Sequence, residues 1–166
     1  MGTAFQKITL SFSILMASAI SMPSLAKSDT ICGQGELLVN KKSIGTATYL
    51  AESCNQSWQG QNIQMDFSYT ENIPEWAFKR AATHFLKKNV NNLKDDSPLN
   101  QVTMLYRPVK KGDVYRLSYQ HSNQTLTLFL NHRVLGKVRD RQIQQYFTIW
   151  LGNSPFSAKL KQQLLN

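Results

Sequence analysis

Along residues 61–69 (QNIQMDFSY) apolar side chains recur at every second position, so Ile63, Met65, Phe67 and Tyr69 share one face. That period predicts a strand buried on one side. The same alternation predicts strands over 114–120 (VYRLSYQ) and 125–130 (TLTLFL), joined by the polar turn 121–124, and a third short strand after Asn131. Upstream, 33–39 (GQGELLV) and 45–50 (GTATYL) flank the polar stretch 40–43 and read as a hairpin.

Elsewhere the period lengthens to that of a helix. Asn72 or Ile73 stands at a cap, Pro74 suits a first helical position and Glu75 the positive end of the dipole. Ala77, Phe78, Ala81, Ala82 and Phe85 then form an apolar stripe, while Lys79, Arg80, Thr83, Lys87 and Lys88 face away. Residues 89–96 have loop composition. Ser97-Pro98 opens a second helix with Leu99, Val102 and Leu105 or Tyr106 inward, ending near Pro108. Asp140 is the expected cap of a helix over 141–151 with Ile143, Phe147 and Trp150 or Leu151 inward, and Gly152 ends it. Ser157 caps the last helix, in which Leu160 and Leu164 turn inward. Strand pairs joined by short turns, interleaved with amphipathic helices, predict an α+β fold: an antiparallel sheet with helices on one face.

The first 26 residues read differently. Lys7 supplies a positive N-terminal region, residues 8–20 are an apolar run, diluted by Ser and Thr, that is too short to span a bilayer, and Pro23-Ser-Leu-Ala26 ends in a small-x-small site. This is the pattern of a cleaved secretory signal peptide. The expectation is therefore a leader over 1–26, one soluble domain over 27–166 and a periplasmic location. No later apolar run approaches the ~20 residues of a spanning helix.

The chain has 19 Lys and Arg against 10 Asp and Glu, and loss of Lys7 leaves a net charge of +8. Such a balance suits nucleic acid, anionic headgroups, an acidic ligand or simply a solvated face. Export argues against nucleic acid. The two cysteines, Cys32 and Cys54, flank the first hairpin symmetrically, and an even count in an exported chain favours a disulfide over two buried thiols. His84, His121 and His132 are scattered, with no HExxH or Cys/His spacing, so neither a metal nor a cofactor is expected. GxGxxG, P-loop and GxSxG patterns do not occur. Tyr69, Tyr106, Tyr115, Tyr119 and Tyr146 read as core or rim residues rather than catalytic acids, and Tyr146, Phe147 and Trp150 as core packing rather than a ligand box.

The order of elements over 112–165, with the GD step at Gly112-Asp113 and the IWLG–N–SP junction at 149–155, resembles the chalcone isomerase-like family, in particular its small secreted bacterial members. The resemblance implies an open-faced β-sandwich. In the catalytic plant enzymes an arginine early in the first strands binds the ionised phenol, and a tyrosine and an asparagine near the first long helix assist. The matching positions here hold Glu36, Pro74 and Ala81. An acid repels a phenolate, and neither Pro nor Ala donates a proton. A substrate-binding hydroxyl near the start of the final helix corresponds approximately to Ser157, which serves equally as an N-cap.

The resemblance therefore implies a non-catalytic protein holding a small amphipathic or fatty-acid-like ligand between sheet and helices, as fatty-acid-binding relatives in the family do. Arg107 and Arg116 are the candidate cations for its carboxylate, with Ser157 as a candidate contact. The alternative is an isomerase or lyase acting on an unknown small molecule through a rebuilt site. A third reading is a partner protein in an envelope complex. Polar side chains clustered in one pocket would favour the enzyme; an apolar pocket with a cation at its mouth would favour the binder.

Overall fold

Six strands lie side by side in the order in which they occur in the chain, each antiparallel to its neighbours. The structure is a computed structural model that describes residues 29–165; the expected leader lies outside the described residues. Strands β1 (Thr30–Val39), β2 (Lys42–Ala51) and β3 (Ile63–Tyr69) precede helices α1 (Glu75–Asn89) and α2 (Pro98–Met104). Strands β4 (Val114–Gln120), β5 (Thr125–Leu130) and β6 (Arg133–Arg139) follow, then a 3-10 helix (Ile143–Phe147), α3 (Thr148–Leu151) and α4 (Ala158–Leu165). None of the described helices is long and apolar enough to cross a membrane. The α+β architecture expected from the alternating periods is the one observed.

The sheet has one apolar face. Ala47, Tyr49 and Ala51 of β2, Ile63, Met65, Phe67 and Tyr69 of β3, and Tyr115, Leu117 and Tyr119 of β4 are buried on it. Leu126 and Leu128 of β5 extend it. Register pairs such as Ala47 with Phe67 and Phe67 with Tyr115 line these side chains up across strands. The opposite face carries Thr46, Thr48, Gln64, Asp66, Arg116 and Ser118, none of them fully buried.

Two-residue turns close two of the hairpins. Asn40-Lys41 and Asn131-His132 all have positive φ, the backbone that matches the right-handed twist of flanking strands. The first turn is therefore tighter than the four-residue stretch expected, and β2 begins at Lys42. Cys32 is the unpaired residue where the β1–β2 register slips between Ile31 and Gly33. From there it bonds to Cys54 beyond the end of β2, with Cα atoms 5.1 Å apart.

Three helix expectations shift. Pro74 is the N-cap of α1, with extended backbone at ψ 151°, rather than its first helical residue. The second helix stops at Met104, with Leu105 as its C-cap, short of the restriction that Pro108 places on Arg107. The segment expected as one α-helix over 141–151 winds mainly as a 3-10 helix before one α turn. Ile143, Tyr146 and Ile149, all buried, recur every third residue, the period of the tighter winding. With Pro74 in that place, neither Asn72 nor Ile73 is the cap of α1, whereas the caps expected at Ser97, Asp140 and Ser157 are present. Ser97 Oγ accepts from Leu99 N–H, Asp140 Oδ1 from Gln142 N–H at 2.7 Å and Ser157 Oγ from Leu160 N–H at 3.2 Å.

Glycine sets how closely the outer helices approach. A Cβ on Gly33 would lie 2.4 Å from the Leu164 carbonyl oxygen of α4, and one on Gly35 2.6 Å from Leu160 Cδ1. At the other edge, a Cβ on Gly136 of β6 would meet the Leu105 side chain at 2.6 Å. Both sheet edges are thus clamped by helical segments that any side chain would push away.

Two outcomes follow from these features. Cys32→Ser with Cys54→Ser should cost about 3 kcal/mol by releasing the unfolded chain, a fall in Tm of roughly 6–12 °C at this size. Thermal melts of the variant, and of wild type with and without reductant, measure it. The second concerns the six tyrosines, whose phenols are all held above their ordinary range, with burial the first cause. Tyr49 and Tyr115 are pushed up to about 12. Unfolded phenols ionise near pH 10 while folded ones keep their protons, so stability is full below that pH and falls as pH rises toward 12. Phenolate absorbance in an alkaline titration should appear together with loss of tertiary structure, not before it.

Candidate functional site

Helix α1 does not lie flush on the sheet. Its inner stripe combines Phe78 and Leu86 with the small Ala77, Ala81 and Ala82, and the alanines leave space against the strands. The result is a cavity of about 130 Å³. Leu37 and Val39 of β1, Ile44 of β2 and Phe67 and Tyr69 of β3 form its floor. Ala77, Phe78, Ala81 and Ala82 form the roof. Ile149 and Trp150 of α3, with Phe156, close one end; Ile73 and Tyr106 close the other flank. This is the gap between the sheet and the helical segments following Pro74 and Arg141 in which the sequence placed a ligand.

Aromatic contacts hold the walls apart. Phe67 meets Trp150 with ring centroids 4.7 Å apart. Phe78 stacks on Tyr106 at 5.3 Å and meets Tyr69 edge-on at 5.5 Å, geometries that aromatic quadrupoles favour. The entry to α1 is pinned by paired backbone bonds between Ile73 and Val109, at 3.0 and 2.9 Å. The cavity reaches the surface beside Val39, which is 42% exposed. Beyond Val39 the hairpin tip carries Lys41 and Lys42, and Lys42 pairs with Glu71 at 3.0 Å.

The polar atoms of the lining side chains are the hydroxyls of Tyr69 and Tyr106 and the indole N–H of Trp150. Burial, reinforced by Tyr115, holds the Tyr69 phenol far above its usual range. Burial and the neighbouring Tyr146 do the same for Tyr106. Both groups stay protonated at neutral pH, so they can donate a hydrogen bond but cannot act as bases. The buried hydroxyl that lacks a hydrogen-bond partner among the described residues is that of Tyr49, which does not line this cavity. No three His, Cys, Asp or Glu side chains converge among those residues.

None of the three expected ligand contacts lines this cavity. Arg116 projects from the opposite face of the sheet, where Nε and Nη2 each donate to a different carboxylate oxygen of Asp66 at 2.8 Å. Arg107 lies on the surface past α2, its Nη1 donating to the Tyr106 carbonyl at 2.9 Å. Its backbone N–H and carbonyl are both tied to the Tyr115 hydroxyl, at 2.8 and 2.6 Å. Ser157 caps α4; its neighbour Phe156 is what reaches the cavity. Of the positions compared with the plant enzymes, Glu36 is exposed between the inward-facing Gly35 and Leu37, Pro74 caps α1, and Ala81 supplies a methyl to the roof. Alanines at helical spacing signalled the roof; nothing local marked Ile44 or Phe156.

The architecture has known counterparts. A fatty-acid binding protein of Arabidopsis thaliana superposes with a TM-score of 0.66 over 87% of this chain and 90% of its own, at 14% identity. At that identity the likeness is one of fold. No curated protein sequence matches the chain. Residues 39–166, most of the sequence, match the family described as chalcone isomerase-like, and the chain belongs to that family.

Proposed function

We propose that this protein is a non-catalytic carrier of an elongated amphipathic molecule with an anionic end, of the fatty-acid type, seated in the cavity beneath α1. The observation that carries this reading is the lining. A cavity walled by aliphatic and aromatic groups, with only protonated hydroxyls and an indole N–H for polarity, suits hydrocarbon and offers no base or nucleophile for turnover. An isomerase or lyase would need converging polar side chains there. The fatty-acid binding title of the Arabidopsis fold relative is consistent with the same use of the same architecture.

Size refines the proposal. An engineered apolar cavity of about 150 Å³ takes up benzene, so the 130 Å³ found here accepts a few carbons as it stands. A full acyl chain requires α1 to move outward or part of the chain to remain at the mouth by Val39. Burying about ten methylenes offers roughly 8 kcal/mol gross, and the costs of association bring that to micromolar binding. Lys41, at the hairpin tip near the mouth, is the cation we assign to the carboxylate.

Titration of the protein with a fluorescent fatty acid should saturate at or below roughly tens of micromolar. Ala81→Phe, which fills the roof, should weaken binding at least about tenfold (~1.4 kcal/mol) while its far-UV spectrum and cooperative melt are retained. No saturable binding by wild type, or equal binding by the variant, would remove the carrier reading and bring the envelope-partner reading forward.

We also propose that the carrier works outside the cytoplasm. The support is the order of charged segment, apolar run and small-residue site over residues 1–26. Intact-mass measurement on periplasmic material should show a chain beginning at Lys27. Recovery of the full-length chain in the cytoplasm alone would overturn it.

A further inference from the structure

The helix that roofs the cavity has an outer face that the carrier reading does not use. Trp76, Arg80, Thr83 and Lys87 follow at helical intervals of four, three and four and so form one line along α1. Trp76 is 64% exposed, whereas Trp150 is 9% exposed and Trp58 packs partly against the core. Met104, at the end of α2, is 61% exposed. Arg107 links the two. Its Nη1 reaches the Met104 carbonyl at 3.4 Å, and its charge helps hold the carboxyl of Glu75, the residue before Trp76, below the usual range, after the bond from Lys79.

This surface therefore sets two exposed apolar side chains among cations. Glu75 is engaged by Lys79. Arg80, Lys87, Lys88 and Arg107 have no carboxylate partner among the described residues, and Lys88 instead sits 5.8 Å from the Phe85 ring centre. A lone exposed Trp or Met is ordinary on a protein surface. An exposed Trp in line with unneutralised cations, on the outside of the helix whose inside walls an apolar cavity, is not explained by folding.

We infer that the outer face of α1, with the end of α2, docks on an anionic phospholipid bilayer. Tryptophan settles at the boundary between headgroups and acyl chains, and lysine and arginine are drawn to the negative surface of the same layer. The two requirements meet on this face. Docking there would bring the cavity within one helix width of the acyl chains, a short path for a molecule entering or leaving.

The test uses the full mature chain and sedimentation with vesicles, one set of phosphatidylglycerol and phosphatidylcholine in equal parts, the other of phosphatidylcholine alone. Binding to the anionic set should exceed the neutral set at least about tenfold and should weaken with added salt. Quenching of tryptophan emission by brominated acyl chains should occur in wild type and vanish in Trp76→Phe. Arg80→Glu with Lys87→Glu should lose at least about tenfold in vesicle affinity, while fatty-acid titration without vesicles is unchanged and shows the variant folded. That titration separates this inference from the carrier reading, since either can fail alone. Equal binding to both vesicle sets, no binding to either, or wild-type affinity in the charge-reversed variant would each overturn it.

Discussion

A six-stranded antiparallel sheet with one apolar face cannot stand in water with that face bare, and everything else in this chain answers to that condition. The connection between β3 and β4 and the segment after β6 supply the α-helices and the 3-10 helix of the described residues, and these fall on the same side. The opposite face can then be polar, and it is, with threonines, Gln64 and Ser118 around the Asp66–Arg116 pair. Because successive side chains in a strand point to opposite faces, the choice made at Phe67 and Tyr115 determines where Asp66 and Arg116 must point. Arg116, one of the two cations that sequence alone put forward for a ligand, is thereby carried to the face of the sheet away from the cavity.

The cavity arises from unequal helix approach. At β1, Gly33 and Gly35 present no side chain, so α4 comes down onto the backbone; at β6, Gly136 does the same for Leu105. Between these clamps α1 must cross strands whose inward residues are Phe67, Tyr69 and Tyr115. Rings on the sheet hold the helix up, and Ala77, Ala81 and Ala82 decline to fill the gap. Close packing is the norm in protein interiors, and voids larger than a water molecule are few. A space kept open by large residues below and small ones above, while both flanks are tightly sealed, therefore invites a ligand explanation.

Much of the fold was legible in the residues because its causes are local. The alternation at 61–69 and 114–120, the Ser97 and Ser157 caps and the asparagines at the tight turns each carry their own signal. Cys32 and Cys54 were identifiable as a pair for the same reason. The 3-10 winding after Asp140 was also written in the spacing of Ile143, Tyr146 and Ile149, but an aromatic-rich run is easily read with the commoner period. The site was less legible because its causes are not local. Val39, Ile44, Phe67 and Phe156 become neighbours only when three strands and the α4 approach are assembled, and each alone is an ordinary core residue. Arg116 looked like a free cation because Asp66, its partner, stands fifty residues away and meets it only through strand register.

The distribution of charge is the last point of coherence. A strongly basic chain that used its cations to hold a buried anion would need at least one of them inside, at a steep desolvation cost unless it is paired. Here the cavity wall contains none. The cations stand at the hairpin tip, along the outside of α1 and along β6, where water solvates them and where they act over a Debye length rather than by contact. On the proposed function, hydrocarbon is recognised by shape and apolar surface within; on the proposed docking, negative charge is met by long-range attraction without. One element, α1, belongs to both systems: its alanines define the space and its outer arginine and lysines face whatever carries the charge. A helix shared in this way couples the two without requiring any residue to do both tasks.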